Sequence, residues 1–393
     1  MLVGFACCLS MAISLLPIVD YYCSWYITVI PVILVLFATL RMNSNIYPLL
    51  VAFSAILAFA FLEYWIVYRS SAVGNYILNF VIAFLPAIIA MQVGEMKGLD
   101  GKRFFANCLQ VAMIFSGITS ITTIIGLNQY PMASRELASG TAIYDTLKYS
   151  RINIGGYEYI YSLVLLIPIA IWMIRHSKGF MKALNIAVLV LNILCIYESQ
   201  YTLALICTVL AFLVVLMQKH RKLALIILAV LIAMLAINGF ALLGDLFEWA
   251  SEVVNQEYVS DRLLQVSQLL SGETVNTETN DERIQHYLNE LQSFADSPIW
   301  GHNLFSYNSD RISGHSVVLD MLGGAGILGL TLLIVLVCTL YKFVFKTGRL
   351  TIPGAVKETW IILAVVSCVN PVLFPLVTTI VFFFAKCIQK IEN

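Results

Sequence analysis

Few residues in this 393-residue chain have side chains suited to chemistry, and they are unevenly placed. Arg151 stands in Tyr149-Ser150-Arg151-Ile152-Asn153-Ile154-Gly155-Gly156, just ahead of a long apolar run. Arg283 falls in a polar stretch, and Arg311 lies four residues before His315. A guanidinium fork suits bidentate binding of phosphate or carboxylate. His315, in Gly314-His315-Ser316-Val317-Val318-Leu319-Asp320, can take a proton near neutral pH, with Asp320 a turn or so further on to orient it. Plainer roles stay open: each arginine paired with a nearby carboxylate, and the histidine bonded to a neighbouring carbonyl. Glu63 and Glu198 are ionisable groups close to apolar segments, which marks them for inspection.

The elements that must position these groups follow from composition. Hydrophobic residues make up 60% of the chain and charged residues 12%, half the charge of an ordinary soluble domain. Mean hydropathy is +0.87. Soluble enzymes, nucleic-acid binders, secreted disulfide scaffolds and membrane β-barrels are thereby excluded. The fold class expected is an all-α polytopic membrane protein. Apolar windows long enough for a ~30 Å hydrocarbon core fall near 2–19, 24–40, 46–67, 76–93, 104–127, 157–174, 182–197, 199–217, 223–243, 316–341, 352–368 and 371–387, about 12 transmembrane helices. Two pairs are single apolar runs, split by turns at Tyr197–Gln200 and Asn370–Pro371.

Net charge is zero, with 23 basic and 23 acidic residues, but their distribution is informative. Alternate loops, beginning with the N-terminus, hold 16 of the 23 Lys and Arg, which sets both termini in the cytoplasm. Two long segments then face outward, 128–156 and 244–315, and long loops in compact folds are usually functional. The chain divides into 1–243 (nine spans and the first outside loop), 244–315 (a large extracytoplasmic helical loop) and 316–393 (three spans). Within the large loop, Thr279 and Glu282 have capping-box spacing. Ile284, Leu288, Leu291 and Ala295 form an apolar stripe that Pro298 ends, which puts His286 on the solvent side and Arg283 on the flank. The nine cysteines lie almost wholly in apolar runs without a CxxC pair, so no disulfide framework, zinc site or other metal is expected. The Gly323-Gly324-Ala325-Gly326 run with Gly329 reads as a place of close helix packing.

Three features together resemble the O-antigen polymerase and O-antigen ligase superfamily, the Wzy-type polysaccharide polymerases and their ligase relatives. One is Asp281-Glu282-Arg283-Ile284-Gln285-His286-Tyr287 followed by Asp296-Ser297-Pro298-Ile299-Trp300-Gly301, similar to that family's arginine, aromatic and Pro-x-x-Gly turn. Another is Gly314-His315-Ser316 running into Gly326-Ile327-Leu328-Gly329-Leu330. The last is the plan of a dozen spans with one large outside loop. Arg151 ahead of its glycine pair also resembles an arginine of the family's earlier loop. The chain departs from the pattern at Ser199-Gln200, where the family often has Ser-Arg, and at Asn303, where a second glycine is usual.

The resemblance implies a GT-C-like architecture in a bacterial cytoplasmic (inner) membrane, with the active site on the outer face. It implies a glycosyltransferase that polymerises polyprenyl-diphosphate-linked oligosaccharide repeat units into an O-antigen or capsule, inverting and without cofactor or metal. Arg151 and Arg283 would neutralise the donor diphosphate, Arg311 and Arg262 would be outer anion contacts, and His315 would be the base. Partners would be lipid-linked donor and acceptor, membrane lipid and, where one exists, a chain-length regulator, with no nucleic acid. The alternatives are a ligase of the same superfamily or a lipid-linked oligosaccharide flippase.

Overall fold

The computed structural model describes residues 2–23, 73–93, 101–139, 148–219, 241–254, 257–271, 278–302, 316–346 and 350–393. Among these residues the chain is helical and has no strand. The first part holds α1 (Leu2–Ile13), α2 (Pro17–Cys23), α3 (Val73–Val93), α4 (Lys102–Gln129) and the short α5 (Ala133–Ser139). Next come α6 (Tyr157–His176), α7 (Gly179–Glu198) and α8 (Thr202–Lys219). The polar middle folds as α9 (Ala241–Val253), α10 (Glu257–Ser271) and α11 (Glu278–Asp296). The last part is α12 (Val317–Phe345), α13 (Gly354–Val369), α14 (Pro375–Thr378), a π-helical turn over Thr379–Phe384, and α15 (Ala385–Glu392).

Four of these helices, α4, α6, α7 and α12, are long and apolar enough to cross a membrane. This is a helical membrane protein. The expected spans at 24–40, 46–67 and 223–243 lie outside the described residues. The expected span at 2–19 is not one helix. Pro17 has no N–H to give, and its ring crowds the carbonyl four residues back, so α1 stops at Ile13 and α2 leaves at 103°. Both expected splits are present, with α7 ending at Glu198 and α13 at Val369.

The core centres on α6, an apolar helix buried on nearly every side, as its all-round hydrophobicity demands. A buried polar seam joins α4, α6 and α7. Gln110 donates to Asn185 at 2.9 Å, and Asn185 donates to Ser177 at 3.0 Å. Ser120 donates to Asn192 at 2.8 Å, Asn192 to Ser116 at 3.3 Å, and the Tyr159 hydroxyl to the Ser116 carbonyl at 2.6 Å. The seam continues to Asn153, whose side chain accepts from the Ile18 N–H at 3.1 Å and donates to Thr122 at 2.8 Å. Leucine-rich faces gain nothing against lipid tails, so small and amide side chains hold such helices together.

At the far end from Asn153, α15 finishes α12. Lys386 donates to the Val344 carbonyl at 2.5 Å and Gln389 to the Phe345 carbonyl at 2.8 Å, filling the last unpaired carbonyls of that helix. Trp172 at the end of α6 donates to Glu392 at 2.6 Å, so α6, α12 and α15 end together.

The large-loop helix α11 lies against α12, but on the face opposite to the expected one. Leu288, Leu291 and Ala295 point away, whereas Glu290 and Ser293 are buried at 1% and 0% exposure. The cause is a close backbone approach. Ser293 donates to the Gly323 carbonyl at 3.1 Å, and a Cβ on Gly323 would meet the Glu290 carbonyl at 3.0 Å. Leucines do not fit that gap. His286 is accordingly half-buried and not solvent-facing, and the helix begins at Glu278, one residue before Thr279.

Just beyond α11 the Pro298–Gly301 turn seats in a break of α12. Gly326 has φ 62° and ψ −168°, so the helix interrupts there. The N–H groups freed by the break donate back to the turn, Ile327 to Pro298 at 2.9 Å and Leu328 to Ile299 at 3.3 Å. His302 returns a bond to the Gly323 carbonyl at 2.9 Å. Gly301, at φ +71°, has no room for a Cβ, which would come 2.3 Å from the Gly324 carbonyl carbon. The two motifs read separately in the sequence are thus one interlock.

Candidate functional site

The functional candidates gather where α6 and α12 begin and α13 ends. Tyr157 and Ser316 are both preceded by short polar stretches that carry candidate residues, Arg151 and His315. The last residues of α13 bind three elements at once. The Ser316 hydroxyl, which caps α12, donates to the Cys368 carbonyl at 2.8 Å. The Tyr287 hydroxyl of α11 reaches the Val369 carbonyl at 3.4 Å. The Tyr157 hydroxyl donates to Asn370 Oδ1 at 2.8 Å, and the Val317 N–H donates to the Asn370 carbonyl at 3.3 Å.

Asn370 can serve as this hub because Pro371 follows it. The residue before a proline is pushed out of helical geometry, and Asn370 is extended at φ −147° and ψ 151°. Chain reversal over Asn370–Phe374 then starts α14, whose first turn is capped by Glu158. That carboxylate accepts from the Leu376 N–H at 2.7 Å, at the positive end of a helix. Glu158 therefore has a positioning task.

An aromatic wall flanks the hub. Tyr157 lies 4.6 Å from Tyr161, 5.8 Å from Tyr201 and 6.0 Å from Phe374, ring centre to ring centre. Tyr201 donates to the Ser134 carbonyl at 2.6 Å, and the guanidinium of Arg135 lies near its phenol. Ser134 in turn donates to the Gly155 carbonyl at 2.7 Å. The loop from Tyr149 to Gly156 is thereby fixed from several sides, and a Cβ on Gly155 would strike the Tyr159 ring at 2.2 Å.

The expected site residues fall as follows. Arg151 is exposed at the end of the helical turn that precedes Asn153 in that fixed loop. Arg283 lies in α11, one turn before Tyr287. Arg262 lies in α10. Arg311, His315 and Glu63 lie outside the described residues, although Ser316, next to His315, is bonded to the hub. Asp320 is half-buried in the first turn of α12, where its N–H donates to the Ser316 carbonyl at 2.8 Å. Glu198 is half-buried at the last position of α7. His302 stands 4.0 Å from Asp296.

Sequence reasoning missed Tyr157, Tyr201, Arg135 and the hub role of Asn370. The available signal was positional: polar or aromatic residues at the first or last position of an apolar window, on one end of the molecule. No group of three or more His, Cys, Asp or Glu side chains suited to a metal occurs among the described residues. Compared with known proteins, the chain matches no family model and no curated protein.

Proposed function

We propose that this protein is a membrane glycosyltransferase that joins polyprenyl-diphosphate-linked oligosaccharide repeat units into a surface polysaccharide at the outer face of a bacterial cytoplasmic membrane. One observation carries the reading. The stretches bearing Arg151, Arg283 and His315 are remote in sequence, yet Tyr157, Tyr287 and Ser316, close to each of them, all bond to residues 368–370. A site assembled from two long loops and the ends of membrane helices suits a substrate with a lipid tail in the bilayer and a glycan outside it.

In this reaction an acceptor sugar hydroxyl attacks the anomeric carbon of the donor. The new glycosidic bond forms as the bond to the diphosphate breaks, and the configuration inverts. His315 takes the hydroxyl proton. Arg151 and Arg283, with Arg311 further out, stabilise the charge that grows on the departing polyprenyl diphosphate. The chemistry needs no metal, so chelators should leave polymer synthesis unchanged. Twelve spans, cytoplasmic termini and a GT-C-like plan belong to the same proposal.

A flippase is the second reading, because broken helices are frequent in transporters. The break at Gly326 speaks for the enzyme instead: its freed N–H groups are taken by Pro298 and Ile299 and are not open to a passing solute.

The test is polysaccharide chain length in a deletion strain complemented with wild type, Arg151→Ala, Arg283→Ala or His315→Ala, each checked for expression. A ladder collapsing to one capped repeat in the deletion and the three variants is expected. Loss of the single repeat as well would identify a flippase. Full-length polymer stranded on its lipid carrier would identify a ligase. Three active variants beside an inactive deletion would show that the site is elsewhere.

A further inference from the structure

The polar groups around the aromatic wall differ from those elsewhere in the core. Ser162 Oγ, Thr202 Oγ1 and Asn370 Nδ2 are each buried with no hydrogen-bond partner among the described residues. Ser162 and Asn370 are both 1% exposed. All three belong to one neighbourhood. Ser162 follows Tyr161 on α6, Thr202 follows Tyr201 at the start of α8, and the Asn370 amide holds the Tyr157 hydroxyl at 2.8 Å. The Tyr161 and Tyr201 rings are 6.1 Å apart. Tyr157, Tyr201 and Phe374 are only half-buried, so the cluster opens toward the surface through its aromatic rings.

Buried donors and acceptors normally find partners, and an exception calls for a bound group that supplies one. Here the unpartnered groups are an amide and two hydroxyls, all neutral, beside four aromatic rings. Aromatic faces take the C–H face of a pyranose, and neutral amides and hydroxyls bond its hydroxyl groups. A diphosphate would want cations in those places. We infer that Ser162, Thr202 and Asn370, walled by Tyr157, Tyr161, Tyr201 and Phe374, form a sugar-ring subsite for the glycan of the lipid-linked substrate, separate from the arginines that face its diphosphate. The inference rests on the glycosyltransferase reading.

The test uses the full-length protein in nanodiscs. The probe is the repeat-unit oligosaccharide released by mild acid from the lipid carrier that accumulates in the deletion strain. Binding is measured by calorimetry for wild type, Ser162→Ala, Thr202→Val and Asn370→Asp. The first two remove hydroxyls that hold no other residue, so the fold is kept, and an unchanged Tm verifies it. Asn370→Asp keeps the acceptor for Tyr157. Each variant should weaken Kd by about fivefold or more, as loss of one hydrogen bond predicts. Unchanged binding in all three would overturn the subsite and leave these groups to bound water. No binding by wild type, with polymer still lost in the deletion strain, would overturn the subsite while the glycosyltransferase reading stands. Normal polymer in the deletion strain would remove that reading and the sugar assignment with it.

Discussion

Two regions of this molecule bury polar side chains among apolar ones, and they do so differently. In the α4–α6–α7 seam, serine, asparagine, glutamine and tyrosine close their hydrogen bonds on each other, as when Ser120 binds both Asn192 and Tyr159. Around Asn370, the backbone is just as firmly tied, but Ser162, Thr202 and the Asn370 amide hold bonding capacity that nothing nearby takes up. Burial alone does not separate the regions, since Asn192 is 2% exposed and Asn370 1%. Satisfaction does. A polar group with its partners built in fixes helix register, and one without them is available to something that arrives later.

The contrast can be broken or sharpened by substitution, with Tm of the purified protein as the common measure. Gly326→Val should have the largest effect. It forces a branched side chain into a left-handed backbone and places its Cβ 2.4 Å from the Ile299 carbonyl carbon. A cost of about 3 kcal/mol or more is expected, seen as loss of folded protein in size-exclusion chromatography. Folded Gly326→Val with wild-type Tm would mean that the interlock does not hold α11 in place.

Asn192→Leu comes next, because it leaves two seam serines short of partners and should cost about 2 kcal/mol. Asn185→Leu interrupts the seam nearer its end and should cost about 1 kcal/mol, within the range of interhelical bonds in membranes. Ser162→Ala should cost nothing or stabilise by about 0.5 kcal/mol, because the hydroxyl it deletes bonds to nothing. If Ser162→Ala lowered Tm as far as Asn192→Leu, the distinction between the regions would fail.

Much of the architecture was legible in the sequence, because hydropathy reports directly on which segments seek lipid. The described spans and both splits fell where apolar runs and turn residues put them. The stop of α11 before Pro298 was legible for the same local reason. Its inward face was not. Helical periodicity assigns the core to the apolar stripe, and that rule assumes water outside. Next to lipid, leucine at 288 and 291 has no reason to turn inward, while Ser293 and Gly323 gain by touching. The seam was hidden likewise, since Ser116, Ser120, Asn185 and Asn192 are scattered through hydrophobic windows and reveal their pairing only in three dimensions. Of the candidate site, the arginine of the early loop, the loop helix and the start of α12 could be named from residue chemistry. Asn370 read only as a turn, because its partners are distant in the chain.

The Gly301–Gly326 contact also bears on how this sequence can drift. A Cβ at either position meets backbone belonging to the other's strand of the interlock, so enlarging one residue cannot be offset by shrinking its neighbour, which already has no side chain. Charged residues on loops can be exchanged, moved a turn or replaced by others of like charge. Two mutually blocking glycines cannot. In descendants of this chain the pair, 25 residues apart with Pro298 just ahead of it, should outlast the arginines as a mark of common ancestry.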